Sequence, residues 1–256
     1  MLIYDSHCHV SALLNLPLIF PIAVPAITLE DLPQLIKYRE RNPQAKIGIG
    51  LHPWYCSNTI CGVELRQELF YLVKTFQPDF IGECGLDALK PDLAKQQEIL
   101  SIHLQIAQET GLALNLHCVK AYNELLQTIK PYPNLRGVVH AFNGNYELAQ
   151  QLIRKNFYLG IGSTILNPTS KLATTAQRLS LNRLLIESDA PYMPSINKAS
   201  STTFDCLIYA QRLAQLQEKD LSLVINELNQ NWMNLFNLPP TYTTCPLTQV
   251  DHLSAY

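Results

Sequence analysis

The chain has little of what would place it in several large functional classes. It has no basic excess: 19 Lys and Arg against 21 Asp and Glu give a formal net charge of −2. That argues against coating long duplex DNA through a broad positive face, so a nucleic-acid substrate would have to be gripped locally. Its seven cysteines include no C-x-x-C pair. In a chain of 256 residues this indicates neither a secreted disulfide framework nor a zinc ribbon, and a reducing compartment is the simpler reading. The start, Met1-Leu2-Ile3-Tyr4-Asp5, lacks the basic stretch and small-residue cleavage site of a signal peptide, so a cytoplasmic location is expected. The most apolar stretch, Val10 to Ile27, is broken by Pro17, Pro21 and Pro25, and no membrane segment is expected. There is no internal repeat, low-complexity block or long charge run.

What is present is alternation. Short apolar runs at Leu2 to Ser6, Ile22 to Ala26, Lys46 to Leu51, Phe80 to Glu83, Ala113 to Leu116, Gly137 to His140, Phe157 to Ile161 and Leu184 to Glu187 read as strands. Between them, Leu29 to Arg41, Val63 to Phe76, Leu93 to Gly111, Tyr122 to Ile129 and Tyr146 to Asn156 carry apolar residues about every three to four positions and read as helices. Strands rich in Val, Ile and Leu without strict alternation are buried on both faces, as in a parallel sheet covered by helices. Eight such units predict an α/β fold, a single (β/α)8 TIM-type barrel. An open doubly wound sheet is the alternative, but no G-x-G-x-x-G follows the first strand. The expected organisation is one barrel domain over residues 1–238 and a Pro- and Thr-rich tail over residues 239–256.

The chemistry gathers at strand ends. Asp5-Ser6-His7-Cys8-His9 closes the first run, and strand period puts His7 and His9 on one face, with Cys8 on the other. Glu83, His117 and His140 end the fourth, fifth and sixth strands, and Asp189 follows the eighth. In a barrel these carboxyl ends converge on one rim, so six residues far apart in sequence become neighbours. Four imidazoles and two carboxylates suit borderline transition metals better than calcium, and a bridging carboxylate can hold two cations about 3.5–4 Å apart. Two dications against two carboxylates leave a positive surplus that acidifies water and attracts an anion such as a phosphodiester.

In order along the chain stand Asp5-Ser6-His7-Cys8-His9, Gly50-Leu51-His52-Pro53, Gly82-Glu83-Cys84-Gly85-Leu86-Asp87, His140-Ala141-Phe142-Asn143-Gly144 and Glu187-Ser188-Asp189-Ala190-Pro191. With these motifs the chain resembles the TatD-like metal-dependent hydrolases of the amidohydrolase superfamily, from about Tyr4 to Pro239. The resemblance implies two divalent ions per subunit, magnesium, manganese or zinc: His7, His9, Glu83 and Asp189 around one, and Glu83, His117 and His140 around the other, with Glu83 bridging. It also implies a deoxyribonuclease, removing nucleotides from a 3′ end of single-stranded or frayed DNA. Asp189 would take a proton from the attacking water, with Glu83 as the other catalytic carboxylate, and His52 would contact substrate phosphate.

The chain departs from the family pattern in three places. Between His9 and the second strand only about a dozen residues stand, so the first crossover is truncated, and one wall of the pocket is expected either to be open or to be formed by Leu13 to Phe20. After His117 the family's Arg is replaced by Lys120, which supplies charge for substrate binding but not the guanidinium fork. After Asp189, Pro194 to Ser200 replaces a stretch that contacts substrate.

Other candidates have plainer readings. His103 is expected to be a surface or packing residue inside a helix, and His252 belongs to the tail. Cys8, Cys84 and Cys118 should pack between sheet and helices. Trp54 and Tyr55 either stack a base or plug the barrel mouth. Asp87 and Asp5 are placed to orient the histidines, and Lys90, Lys120 and Lys198 are the basic residues nearest the rim. Two other functions stay open: hydrolysis of a small ester, amide or phosphoester on the same site, and an inactive binding barrel. A monomer is the favoured state.

Overall fold

A computed structural model of the chain describes residues 2–13, 21–59, 61–195 and 198–236. Seven parallel strands, β1 (Ile22–Pro25), β2 (Ala45–Ile49), β3 (Phe80–Asp87), β4 (Ala113–Val119), β5 (Gly137–Val139), β6 (Phe157–Ile161) and β7 (Leu184–Ile186), lie side by side in chain order. Around them run α1 (Leu32–Arg41), α2 (Val63–Phe76), α3 (Leu93–Thr110), α4 (Tyr122–Ile129), α5 (Tyr146–Arg154), α6 (Lys171–Arg178), α7 (Asp205–Leu216) and α8 (Leu221–Phe236). α2 and α4 coincide with the helices read from periodicity. α3 ends one residue early because Gly111, at φ 70°, supplies a left-handed cap. α1 starts late because Asp31 accepts hydrogen bonds from the N–H groups of Ile27 and Thr28, tightening the first turn.

The first expected strand, Leu2 to Ser6, does not form a regular ladder, and among the described residues seven strands stand where eight were expected. Its place is nevertheless filled. On one side Ala23 donates to the Asp5 carbonyl at 2.8 Å and accepts from Cys8 at 3.1 Å, one residue more than a regular parallel ladder spans. On the other side Ser6 donates to the Ile186 carbonyl at 3.0 Å and Asp189 to the His7 carbonyl at 2.9 Å. The segment therefore joins β1 to β7 and closes the barrel. Its irregularity has a cause: the N–H of Ser188, which a ladder would give to the Ser6 carbonyl, goes to the Asp5 carboxylate at 3.0 Å, and that carboxylate also takes the His7 N–H at 3.1 Å. A short acidic side chain has outcompeted the strand partner. Of the truncated crossover, residues 14–20 lie outside the described set, as do the tail and His252, and Leu13 is buried. Among the described residues no helix is long and apolar enough to cross a membrane.

The two ends of the barrel differ. At the amino ends of the strands Ala23, Phe80, Ala113, Val138 and Leu185 pack against Trp232, Leu235 and Phe236 of α8. The Trp232 indole N–H donates to the Asp5 carbonyl at 3.2 Å. With α8 as the plug, the carboxyl ends are left free to build a site. Cys84 and Cys118 lie in the large cluster between sheet and helices, and Cys8 in a smaller one with Ile22, Val24 and Leu35, as strand alternation requires. Trp232→Ala is expected to cost about 3–5 kcal/mol of unfolding free energy, the usual loss for emptying a large aromatic site. Urea denaturation followed by circular dichroism checks it, and a loss below about 1 kcal/mol would mean that α8 is not the plug.

Candidate metal centre

The six expected site residues are delivered by five local features, His7 and His9 sharing one. β3 carries a register shift against β4, with Ile81 opposite Leu114 and Cys84 opposite Leu116. This bulge turns Glu83 to the interior and lets the strand continue to Asp87, beyond its expected end. His117 comes from β4, His140 follows β5, and His7 and His9 come from the closing segment. Asp189 sits after β7 in the left-handed region at φ 51°, a conformation costly for a residue with a side chain and typical of functional positions.

The structure brings all six together. His7 Nε2, His9 Nε2 and Asp189 Oδ1 face one another at 3.1–3.5 Å. Glu83 Oε2 lies 3.3 Å from His7 Nε2 and 3.8 Å from His9 Nε2. The other oxygen of the same carboxylate, Oε1, lies 2.9 Å from His140 Nε2 and 3.0 Å from His117 Nδ1, and those two nitrogens are 3.0 Å apart. Glu83 thus divides the donors into two sets. Neighbouring donors around an ion with bonds near 2.0–2.2 Å are separated by about 2.9–3.6 Å, so both sets have close to the spacing of a coordination shell, the one wider gap being the 3.8 Å between Glu83 Oε2 and His9 Nε2.

The donors also fit a cation by what they lack. Glu83 Oε2 is buried and has no hydrogen-bond partner. An uncompensated polar atom of this kind costs about 1–3 kcal/mol, more when charged. His117 Nδ1 faces an oxygen and two imidazole nitrogens, those of His140 and His52, yet it can give at most one proton. Converging lone pairs in a buried pocket are what a positive ion resolves.

Ring orientation is set from behind. His7 Nδ1 donates to Asn115 Oδ1 at 3.0 Å, leaving Nε2 with its lone pair toward Glu83. His140 turns Nδ1 toward Glu187 Oε1 at 3.6 Å. Glu187 in turn accepts the Ala141 N–H at 2.5 Å. It fits only because residue 160 is glycine, where a Cβ would come within 2.0 Å of its carboxylate. His117 turns Nε2 toward Asp87 Oδ2 at 3.8 Å. Asn115 and Glu187 were missed by the sequence reading; a signal existed for Asn115, which stands two residues before His117 on the same face of β4, whereas the left-handed Asp189 breaks that alternation after Glu187.

Electrostatics agree with this geometry. Burial raises the Glu83 carboxyl, but the facing His52, His140 and His7 imidazoles outweigh it and hold the group well below its ordinary value. Burial likewise opposes protonation of His140, yet the Glu83 and Glu187 carboxylates raise it well above the usual histidine range. His117 is raised against burial by Asp87 and Glu83. The carboxylates therefore call for positive charge at this spot, as a proton or as an ion.

His52 stands closer than expected, with Nε2 at 3.1 Å from Glu83 Oε1 and 3.2 Å from His117 Nδ1. Its Nδ1 accepts the Trp54 backbone N–H at 3.2 Å, which puts the proton on Nε2. Burial lowers its pKa. Its Nε2–H is thus a donor aimed into the site, suited to a substrate oxygen. Lys120, at φ 54° just past β4, is exposed and makes no ion pair or hydrogen bond among the described residues. Lys198 is paired with Asp205 and not free at the rim. Asp87 accepts the Trp54 indole N–H at 2.8 Å, and the facing His117 with the hydrogen bonds from Leu89 and Trp54 outweighs its burial and brings its pKa down to about 2. Trp54 and Tyr55 are both exposed. His103 is a packing residue: fully buried, it accepts the Leu51 N–H at 3.1 Å, and burial pushes its pKa down to about 4. No cysteine joins these donor groups among the described residues.

Comparison with known proteins gives a consistent result. Residues 4–237 match the family model described as TatD related DNase. The chain is 28% identical over 227 residues to the uncharacterized metal-dependent hydrolase YjjV of Escherichia coli, covering 85% of this chain and 86% of that one. It is 28% identical over 172 residues to the 3′-5′ ssDNA/RNA exonuclease TatD of Enterobacter lignolyticus, 65% of each. The crystal structure of YjjV, a TatD homolog from Escherichia coli, superposes with a TM-score of 0.81 at 26% identity, covering 93% of this chain and 98% of that one.

Two outcomes follow for metal binding. His117 and His140 must lose their protons to donate, and both pKa values are raised. Binding should therefore release protons, and affinity should weaken as the pH falls through those raised values. Calorimetry in buffers of different ionisation enthalpy reads the released protons; an affinity that does not change with pH would refute this. Asn115→Ala, which frees the His7 ring, should weaken metal binding about 10- to 100-fold in chelator competition.

Proposed function

The chain belongs to the TatD related DNase family and is a metal-dependent hydrolase, and from that premise we propose that it is a two-metal phosphodiesterase removing nucleotides from the 3′ end of single-stranded or frayed DNA. The observation that carries this reading is the division of the Glu83 carboxylate between two sets of buried donors. His7, His9, Asp189 and Glu83 Oε2 would hold one ion, and His117, His140 and Glu83 Oε1 the other. Two divalent ions held there would acidify water and offset the charge of a phosphodiester.

The protein's own groups do the rest. Asp189 is the outward carboxylate of the pair: its side chain is 11% exposed against 2% for Glu83. Burial raises its pKa, but His9, His7 and His140 bring it below the ordinary aspartate value, so it is ionised and can take a proton from water. The water oxygen bonds to phosphorus, its proton passes to the Asp189 carboxylate, and the broken P–O bond leaves its electron pair on the sugar oxygen. His52 offers its Nε2–H to a phosphate oxygen as charge builds there, and Lys120 supplies a mobile ammonium on the same rim. The exonuclease name of the Enterobacter relative supports a nucleic-acid substrate, and the net charge of −2 supports a short local grip over a long duplex track.

The test is nucleotide release from 3′- and 5′-labelled single-stranded DNA by metal-stripped protein resupplied with magnesium, manganese or zinc. Cleavage from the 3′ end is expected, with Asp189→Asn slower by about 10²- to 10⁴-fold, the usual worth of a general base. No DNA cleavage by a metal-loaded protein would overturn the nuclease reading and move the search to small esters and amides.

A further inference from the structure

Of the exposed aromatic residues near the rim, two flank the centre on opposite sides, Trp54 held through its side chain and Tyr192 through its backbone. Trp54 is 53% exposed. Its indole N–H nevertheless donates to Asp87 Oδ2 at 2.8 Å, its backbone N–H to His52 Nδ1 at 3.2 Å, and Lys90 Nζ lies 4.3 Å from the ring centroid. Tyr192 is 49% exposed. Its backbone N–H donates to the Asp189 carbonyl at 2.7 Å, and its carbonyl accepts from Ser201 Oγ.

The rings bracket the centre. The Trp54 ring is 5.2 Å from the His52 ring, on the side of Glu83 Oε1, and the Tyr192 ring is 5.1 Å from the His9 ring, on the side of Oε2. Neither is needed to close the barrel, whose plug is Trp232 at the other end. The Trp54 ring, which could gain by burial, is instead tied to the buried Asp87 carboxylate and kept in solvent, and the Tyr192 ring stands edge-on to His9 above a braced backbone, which is the arrangement of rings waiting for a flat partner.

We propose that Trp54 and Tyr192 are two nucleobase-stacking subsites, one on each side of the reacting phosphodiester, so that the protein grips the two bases that flank the bond it cuts. This rests on the nuclease reading above. Stacking needs a base whose face is free, so paired strands would be excluded until their ends fray. Every base has such a face, so sequence preference would be weak. The grip would also draw little on charge: Lys90, over the Trp54 ring, is the cation this subsite supplies, and binding would depend on salt less steeply than in a protein that tracks many phosphates.

The sequence provides a clean probe. Trp54 and Trp232 are the only tryptophans, and Trp232 is buried under the barrel, so quenching of tryptophan fluorescence by an added strand reports Trp54. The full chain, with magnesium, is titrated with a short phosphorothioate oligodeoxynucleotide and with the same strand carrying abasic sites at its last two 3′ positions. The intact strand should quench and bind about 5- to 150-fold more tightly per stacked base than the abasic one. Trp54→Ala and Tyr192→Ala should each remove part of that preference, and Trp54→Phe should keep it. Equal affinity for the two strands together with cleavage of ordinary DNA would overturn the stacking subsites and leave the nuclease reading standing. Binding to neither strand and no cleavage would overturn both.

Discussion

The site depends on one carboxylate, that of Glu83, being held dry between two groups of imidazoles. One of its oxygens faces His7 and His9, the other His117, His140 and His52. A buried carboxylate can be kept ionised only if positive charge or many donors surround it. Every irregularity nearby serves that end. The bulge in β3 aims Glu83 inward, the broken ladder at Asp5 presents His7 and His9 together, and the left-handed turn at Asp189 brings the second carboxylate to those same two histidines.

Behind the donors lies a layer of buried polar side chains sent in from elsewhere in the fold. Asn115 fixes His7, Glu187 faces His140 across the space left by Gly160, and Asp87 faces His117. α3 braces this layer. Its buried Gln96 bonds both the N–H and the carbonyl of Asp87, and its His103 holds Leu51 beside His52. Burial keeps His103 neutral, so it can accept from that backbone N–H. A site whose donors stand about 3 Å apart needs this stiffness, because small displacements would break the spacing.

Much of this was legible in the sequence, and the reasons are physical. Period two placed Cys8, Cys84 and Cys118 away from the site and the histidines toward it, because alternation survives even where the ladder breaks. Strand ends converge in a barrel, so six donors scattered over more than half the chain could be grouped before any coordinates existed. What periodicity could not show was hydrogen bonding that competes with it. The Asp5 carboxylate that dissolved the first strand, the bulge that lengthened β3 and the lone pair that makes His52 a donor are set by side chain to backbone contacts with no period. The pairing of Lys198 with Asp205 was likewise not legible, because Asp205 opens a helix that periodicity did not delimit.

The central claim is that Glu83 bridges two ions. The direct measurement is metal stoichiometry by mass spectrometry on protein dialysed against manganese or zinc, for the natural chain and for Glu83→Gln, with circular dichroism confirming that both are folded. Two ions per chain, both lost together in Glu83→Gln, is the predicted result. A single ion in the natural chain, or two ions retained by Glu83→Gln, would contradict the account.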